Sequence, residues 1–166
     1  MLLLIAAAWW LWTDGQWLPA PTIRAGDGAI VRVIDGDSLQ IGDTRLRLLG
    51  YDAPEYRQSC ADAEGREWPC GEAARDRLAA LVADGTLACA AQGTDRYQRT
   101  LALCRTRAGD IGTIMVREGL GQRLRNARDS RYLPEEMAAR LARRGVWQGQ
   151  HQHPADWRDA HKRAEP

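Results

Sequence analysis

The residues equipped for chemistry gather in three short stretches: Asp35-Gly36-Asp37-Ser38, then Arg47 with Asp52-Ala53-Pro54-Glu55, and Thr94-Asp95-Arg96-Tyr97-Gln98-Arg99. Carboxylates spaced this closely repel one another unless positive charge lies between them. If Asp37 and Asp52 come from two loops at one end of a sheet, their oxygens suit a hard cation such as Ca²⁺. Guanidiniums beside such an ion match the oxygens of a phosphate, because the planar fork offers paired donors. Each piece has an ordinary alternative. Asp-Gly and Asp-x-Pro are common turn signals, a strand Arg often faces solvent, Glu55 can cap or pair with an Arg, and Arg99 alone would be a solvated loop side chain. The combination is what points to a site.

These residues need a scaffold that brings the loops together. Ile30–Ile34 is a β-branched run and reads as a strand. Ser38–Ile41 reads as a second strand, turned by Gly42-Asp43. Thr44–Leu49 alternates, with Arg45 and Arg47 on one face and Leu46 and Leu48 on the other. Gly50–Pro69 has no apolar periodicity and reads as an irregular excursion. Glu72–Ala83 carries a helical stripe of Ala74, Leu78, Leu81 and Val82. Leu87–Ala90 and Leu101–Cys104 are two more strands, joined through Gly93–Arg99. Ile111–Glu118 and Pro134–Arg144 read as helices, closed by Gly119 and Gly145. A three-strand meander, a helix, two strands and further helices fit a β-barrel with helices: a five-stranded OB-type barrel with about three helices, an α+β fold that often binds oligonucleotides.

The segments VIDGDS, RLRLLGYDAPE and TDRYQRTLA, in this order and spacing, resemble the thermonuclease family, the relatives of staphylococcal nuclease. The resemblance covers about residues 29–147, and the tail HPADWR is similar to extensions of bacterial secreted members. It implies a Ca²⁺-dependent phosphodiesterase, an endonuclease that acts on DNA and RNA and leaves 3′-phosphate products. Carried onto this chain, it makes Asp37 and Asp52 the metal carboxylates and Asp35 an acid that reaches the ion through water. Ala53, where the family prototype has Thr, would contribute its backbone carbonyl. Arg47 and Arg99 match the two phosphate-contacting arginines, and Glu55 matches the acid usually assigned as general base. Arg96 and Tyr97 resemble the pair near the terminal phosphate of a bound nucleotide. The prototype's nucleotide-stacking tyrosines have no clear match. In that region the chain has Arg123, Arg125, Arg128 and Arg131, which would grip a phosphate backbone without reading sequence or form a solvated loop. Tyr51 reads as a packing residue. Single strands, which expose phosphates and bases to a groove, are the expected preference.

Composition sets the frame. The 166 residues are 45% hydrophobic and 27% charged, which suits one globular domain and excludes collagenous, disordered and polytopic membrane classes. With 23 basic and 22 acidic residues there is no global basic field, so a polyanion site must be built locally. Residues 117–166 carry 11 basic and 7 acidic side chains, against 12 and 15 before them. All basic residues except Lys162 are Arg, a bias that base composition explains as well as function does. Residues 1–12, MLLLIAAAWWLW, lack any charge and read as an apolar signal- or anchor-like segment, shorter than the roughly 20 residues of a membrane span. A truncated signal-anchor, a signal-peptide core and a helix packed on the domain all fit it. Residues 13–28 read as a linker and 148–166 as a polar tail.

Four cysteines in an apparently exported chain point to disulfides. A zinc site is disfavoured, because there is no Cys-x-x-Cys pair and every His lies beyond residue 150. Of three possible pairings, Cys60–Cys70 would clip the excursion and Cys89–Cys104 would face each other across a hairpin. The chain is therefore expected to be an extracytoplasmic monomer, secreted, periplasmic or tethered through residues 1–12. Two other readings remain open: a catalytically inactive OB module that binds nucleic acid, and a disulfide-bonded envelope protein that contacts another protein.

Overall fold

The computed structural model describes residues 22–25, 30–125 and 130–162. The apolar segment 1–12 and Arg128 lie outside the described residues. Most of the linker 13–28 does as well, but Thr22–Arg24 within it form a strand, β1. The meander follows as β2 (Val31–Asp35), β3 (Ser38–Ile41) and β4 (Thr44–Leu48). The excursion contains three two-residue strands, β5 (Tyr51–Asp52), β6 (Cys60–Ala61) and β7 (Glu67–Trp68). Helix α1 (Cys70–Val82) leads to β8 (Ala88–Thr94), β9 (Thr100–Thr106) and β10 (Gly109–Asp110). Then come α2 (Ile111–Arg117), β11 (Gln122–Arg123), α3 (Leu133–Leu141), a 3₁₀ turn at Gly145–Gln148 and α4 (Pro154–Lys162).

The main sheet runs β1-β8-β9-β4-β3-β2, with β10 paired to β9. It is a curled half-barrel that carries four helices, an α+β fold of the OB type. All five strands read from the sequence are present. Within the polar tail, Pro154–Lys162 is helical, because Pro154 opens the helix with its fixed φ and Asp156 places an acid in the first turn.

Hydrophobic alternation orients the sheet. On β4, Leu46 and Leu48 are buried while Arg45 is exposed and Arg47 half-buried. They pack with Leu39, Leu78, Ile111 and Met115 in one continuous core. The stripe expected on α1, Ala74, Leu78, Leu81 and Val82, is its buried face. A second, smaller cluster of Cys60, Cys70 and Val146, with Trp68 and Trp147 against it, fastens the excursion to the C-terminal segment.

Three features of this scaffold set the site. The β4–β9 pair is parallel, with Arg47 opposite Leu101, so the start of β9 lies beside the middle of β4, where Arg47 projects. Strand β5 leaves the main sheet and pairs with β11, Asp52 opposite Gln122. The β2–β3 turn presses against α1. A Cβ on Gly36 would lie 2.6 Å from the Ala53 Cβ and 2.8 Å from the Ala74 Cβ, so only glycine lets this turn approach the helix.

Candidate active site

Asp37 and Asp52 are both about 1% exposed, and the fold fixes each by main-chain contacts. Asp37 closes the tight turn between β2 and β3, and its carbonyl accepts from the Leu48 N–H at 2.8 Å. Its Oδ2 accepts from the Ala53 N–H at 2.9 Å and its Oδ1 from the Ser38 hydroxyl at 2.9 Å. Tyr51, next to Asp52, donates its hydroxyl to the Gly36 carbonyl at 2.9 Å, the packing role expected of it. Between the two acids lies Arg47, with Nη1 on Asp37 Oδ1 and Nη2 on Asp52 Oδ1.

Arg158, from α4, completes this arrangement from the far end of the chain. Its Nη1 and Nη2 reach Asp52 Oδ1 and Oδ2 at 3.0 and 2.8 Å, and Nη1 also reaches Glu55 Oε1 at 2.5 Å. The sequence alone assigns nothing chemical to the tail. The signal available was the helix start at Pro154 with a Trp-Arg pair one turn in, but no periodicity tied it to the acids.

Glu55 is held by its loop and by α1. Its N–H donates to Gln58 Oε1 at 3.1 Å and its carbonyl accepts from the Gln58 N–H at 2.7 Å. Gln58, 1% exposed, turns its amide to the Gln152 carbonyl at 2.8 Å, linking the Glu55 loop to the segment that leads into α4. This buried amide in an aperiodic loop left no sequence signal. A Cβ on Gly71 would lie 1.8 Å from the Glu55 carbonyl oxygen, so the start of α1 abuts the Glu55 main chain directly.

Arg99 is set by Asp95. Asp95 Oδ1 accepts from the Tyr97 and Arg99 N–H groups at 2.8 and 3.0 Å, and its Oδ2 holds Arg99 Nε at 2.8 Å. Arg96 donates to the Tyr97 hydroxyl at 2.7 Å, and Tyr97 is 58% exposed. A cleft of about 790 Å³ brings Asp35, Arg47, Glu55, Arg99, Tyr97 and Arg158 into one lining, and Arg96 borders it as well. Arg123 and Arg125 lie elsewhere. They line a neighbouring pocket of about 410 Å³, and Arg125 forms a two-pronged ion pair with Asp156 of α4. Arg131 is exposed.

The charges do not balance among the protein groups alone. Among the described residues, Asp37, Asp52 and Glu55 share the two guanidiniums of Arg47 and Arg158, and Asp35 lies within the field of Asp37, Glu55 and Arg47. Burial, then the charges of Asp37 and Glu55, push the Asp35 carboxyl up to about 7. Burial pushes Asp37 up to about 6 against the pull of Arg47. Burial would raise Asp52 too, but hydrogen bonds from Arg158 and the charge of Arg47 outweigh it and hold that carboxyl below its ordinary value. Among the described residues no three His, Cys, Asp or Glu side chains converge into a ready-made metal cage, because guanidiniums stand between the acids. The donor set nevertheless fits a divalent ion: it is all oxygen and lacks two positive charges. Asp37 and Asp52 would hold such an ion.

The disulfides are Cys60–Cys70 and Cys89–Cys104. The second joins residues directly opposite each other in the β8–β9 ladder. Among the described residues, no helix is long and apolar enough to cross a membrane.

The chain is similar to known proteins over most of its length. The chain is 32% identical over 148 residues to Protein ParB of Escherichia coli, covering 79% of this chain and 78% of that protein. It is 29% identical over 140 residues to an uncharacterized endonuclease of Haemophilus influenzae, covering 80% and 73%. It is 31% identical over 123 residues to the succinoglycan biosynthesis protein ExoI of Rhizobium meliloti, covering 73% of this chain and 64% of that protein's length. Residues 45–149 match the staphylococcal nuclease homologues, and the chain belongs to that family.

Proposed function

We propose that the protein is a Ca²⁺-dependent endonuclease that hydrolyses phosphodiesters in DNA and RNA, prefers single strands and leaves 3′-phosphate ends. The observation that carries this reading is the Arg47 fork between Asp37 and Asp52, in an open cleft that Glu55 and Arg99 also line. Membership in the nuclease homologue family and the likeness to proteins named endonucleases support it.

When bound, the divalent ion supplies positive charge beside the scissile phosphate. The remaining work belongs to this chain. Asp37, Asp52 and the Ala53 carbonyl would hold the ion, and Asp35 would act through water. Glu55 takes the proton of the attacking water. Arg47 and Arg99 direct their forks at the non-bridging oxygens, where negative charge grows in the transition state. Arg96 and Tyr97 border the same cleft and suit a terminal phosphate, while Arg123 and Arg125 lie where a longer strand would leave it. The two disulfides favour an oxidising, extracytoplasmic setting, secreted, periplasmic or tethered through residues 1–12, with the protein acting as a monomer.

Incubation of a labelled single-stranded oligonucleotide with the protein, in Ca²⁺ and in EDTA, beside Glu55→Gln, tests the assignment. Cutting in Ca²⁺ alone, lost in the variant, is expected. Equal cutting by Glu55→Gln would remove Glu55 from its role. Binding without cutting at any Ca²⁺ level would make the protein a binding module.

A further inference from the structure

Asp52 has no free carboxylate oxygen. Its Oδ1 accepts from Arg47 and Arg158 and its Oδ2 from Arg158. Asp37 has its Oδ2 on the Ala53 N–H and its Oδ1 on Arg47 and Ser38. A cation that uses both acids must displace a donor from Asp52. The two guanidiniums are not equal in this respect. Arg47 projects from the middle of the sheet, and its side chain is 16% exposed. Arg158 projects from a short helix near the chain end, and its side chain is 33% exposed at the cleft wall.

Helix α4 is docked by contacts that do not depend on Arg158. Asp156 pairs with Arg125, the Gln58 amide holds the Gln152 carbonyl, and the Ala61 N–H holds the Gln150 carbonyl at 2.8 Å. The fold therefore carries a tethered cation to the acids. A guanidinium on a fixed helix neutralises Asp52 and Glu55 in a pocket where unpaired carboxylates would be costly.

We propose that Arg158 and the catalytic cation are alternative occupants of Asp52: α4 is a built-in counter-ion that closes the cation-free site and gives up Asp52 when the metal binds. The inference rests on the cation reading given above. It makes α4 a gate on metal affinity, so the site fills only above a Ca²⁺ concentration that this internal competitor sets. Removing the competitor strengthens cation binding, the reverse of what loss of a metal-supporting or purely structural residue would do.

Calorimetric titration of Ca²⁺ into the whole protein, without nucleic acid, reads this directly. Arg158→Gln is expected to bind Ca²⁺ about tenfold more tightly, the factor corresponding to about 1.4 kcal/mol. Arg158→Lys, which keeps the charge but loses the fork, should fall between. The cation-free melting temperature should drop in Arg158→Gln and recover when Ca²⁺ saturates the site. Equal or weaker Ca²⁺ binding in a folded Arg158→Gln overturns the competition and leaves the calcium reading intact. If Arg158→Gln does not fold, affinity in Arg158→Lys no tighter than in the parent overturns it. No Ca²⁺ binding by parent and variants overturns both.

Discussion

Arg47 holds Asp37 with one guanidinium nitrogen and Asp52 with the other, so a single β4 side chain bridges the β2–β3 turn and β5. Both acids are almost wholly buried, and Arg47 opposes each. Removing one partner of such a cluster leaves uncompensated buried charge, which costs about 3 kcal/mol or more. Arg47→Ala should lose that much stability in urea denaturation without Ca²⁺ and at least about a hundredfold in cleavage rate. Arg47→Lys restores the charge but not the two-pronged geometry, so it should recover stability better than activity. An Arg47→Ala protein as stable as the parent would show that Arg47 is not the counter-ion of these acids.

The raised acids make stability depend on pH in an unusual direction. Asp35 at about 7 and Asp37 at about 6 stand above the ordinary value of 3.8. Between about pH 4 and pH 7 the folded state therefore holds more protons than the unfolded chain, and stability falls as pH rises through that window. Asp52, held low, acts in the opposite sense: its contribution is present above the ordinary carboxylate value and is lost on acidification. The cation-free protein should thus melt at a higher temperature near about pH 5 than near about pH 8. Asp35→Asn should flatten that decline, and Ca²⁺ should raise the melting temperature more at the higher pH. A decline of full size in Asp35→Asn would mean other groups cause it.

The contact between α1 and the Glu55 loop gives a test that leaves every charged residue in place. A methyl group at position 71 would fall 1.8 Å from the Glu55 carbonyl oxygen, and main chain cannot yield there as a flexible side chain would. Gly71→Ala should cost about 1–3 kcal/mol through overpacking and move Glu55 away from the cleft. Turnover on an oligonucleotide should fall more steeply than affinity for it. Turnover at the parent rate would show that the position of Glu55 tolerates the shift.

The parts of this site that follow sequence periodicity were legible in advance. The alternation of β4 separates Arg47 from Leu46 and Leu48, and Asp37 closes a turn that its neighbour Gly36 announces. Asp52 and Gln122 are different: they face each other in strands of two residues, too short to carry a period. Strand β1 has only three. Gln58 is buried through a loop and Arg158 through helix docking, and both depend on contacts between distant segments. Local signals show where a helix such as α4 begins but not what it packs against. The missed residues therefore reach the site through tertiary docking, while most of those foreseen lie on a strand or a tight turn.

The two disulfides should separate stability from catalysis. Cys89–Cys104 closes a separation of 15 residues inside the β8–β9 ladder, and neither residue lines the cleft. Cys60–Cys70 closes a separation of 10 residues just after Gln58, whose carbonyl accepts from the Gly71 N–H beside Cys70, and the disulfide packs against Val146. Loops of these sizes are each worth about 3 kcal/mol in the chain-entropy account, so replacing either pair by Ala should lower the melting temperature by a similar amount. The effects on turnover should differ. Loss of Cys60–Cys70 frees both the Glu55–Gln58 hydrogen-bonded turn and the start of α1, whereas loss of Cys89–Cys104 loosens strands behind the core. Cleavage assayed well below both melting points should therefore fall in the Cys60/Cys70 variant and stay near the parent rate in the Cys89/Cys104 variant. A Cys60/Cys70 variant that cuts at the parent rate would mean that α1 and Gln58 position the Glu55 loop without help from the neighbouring disulfide.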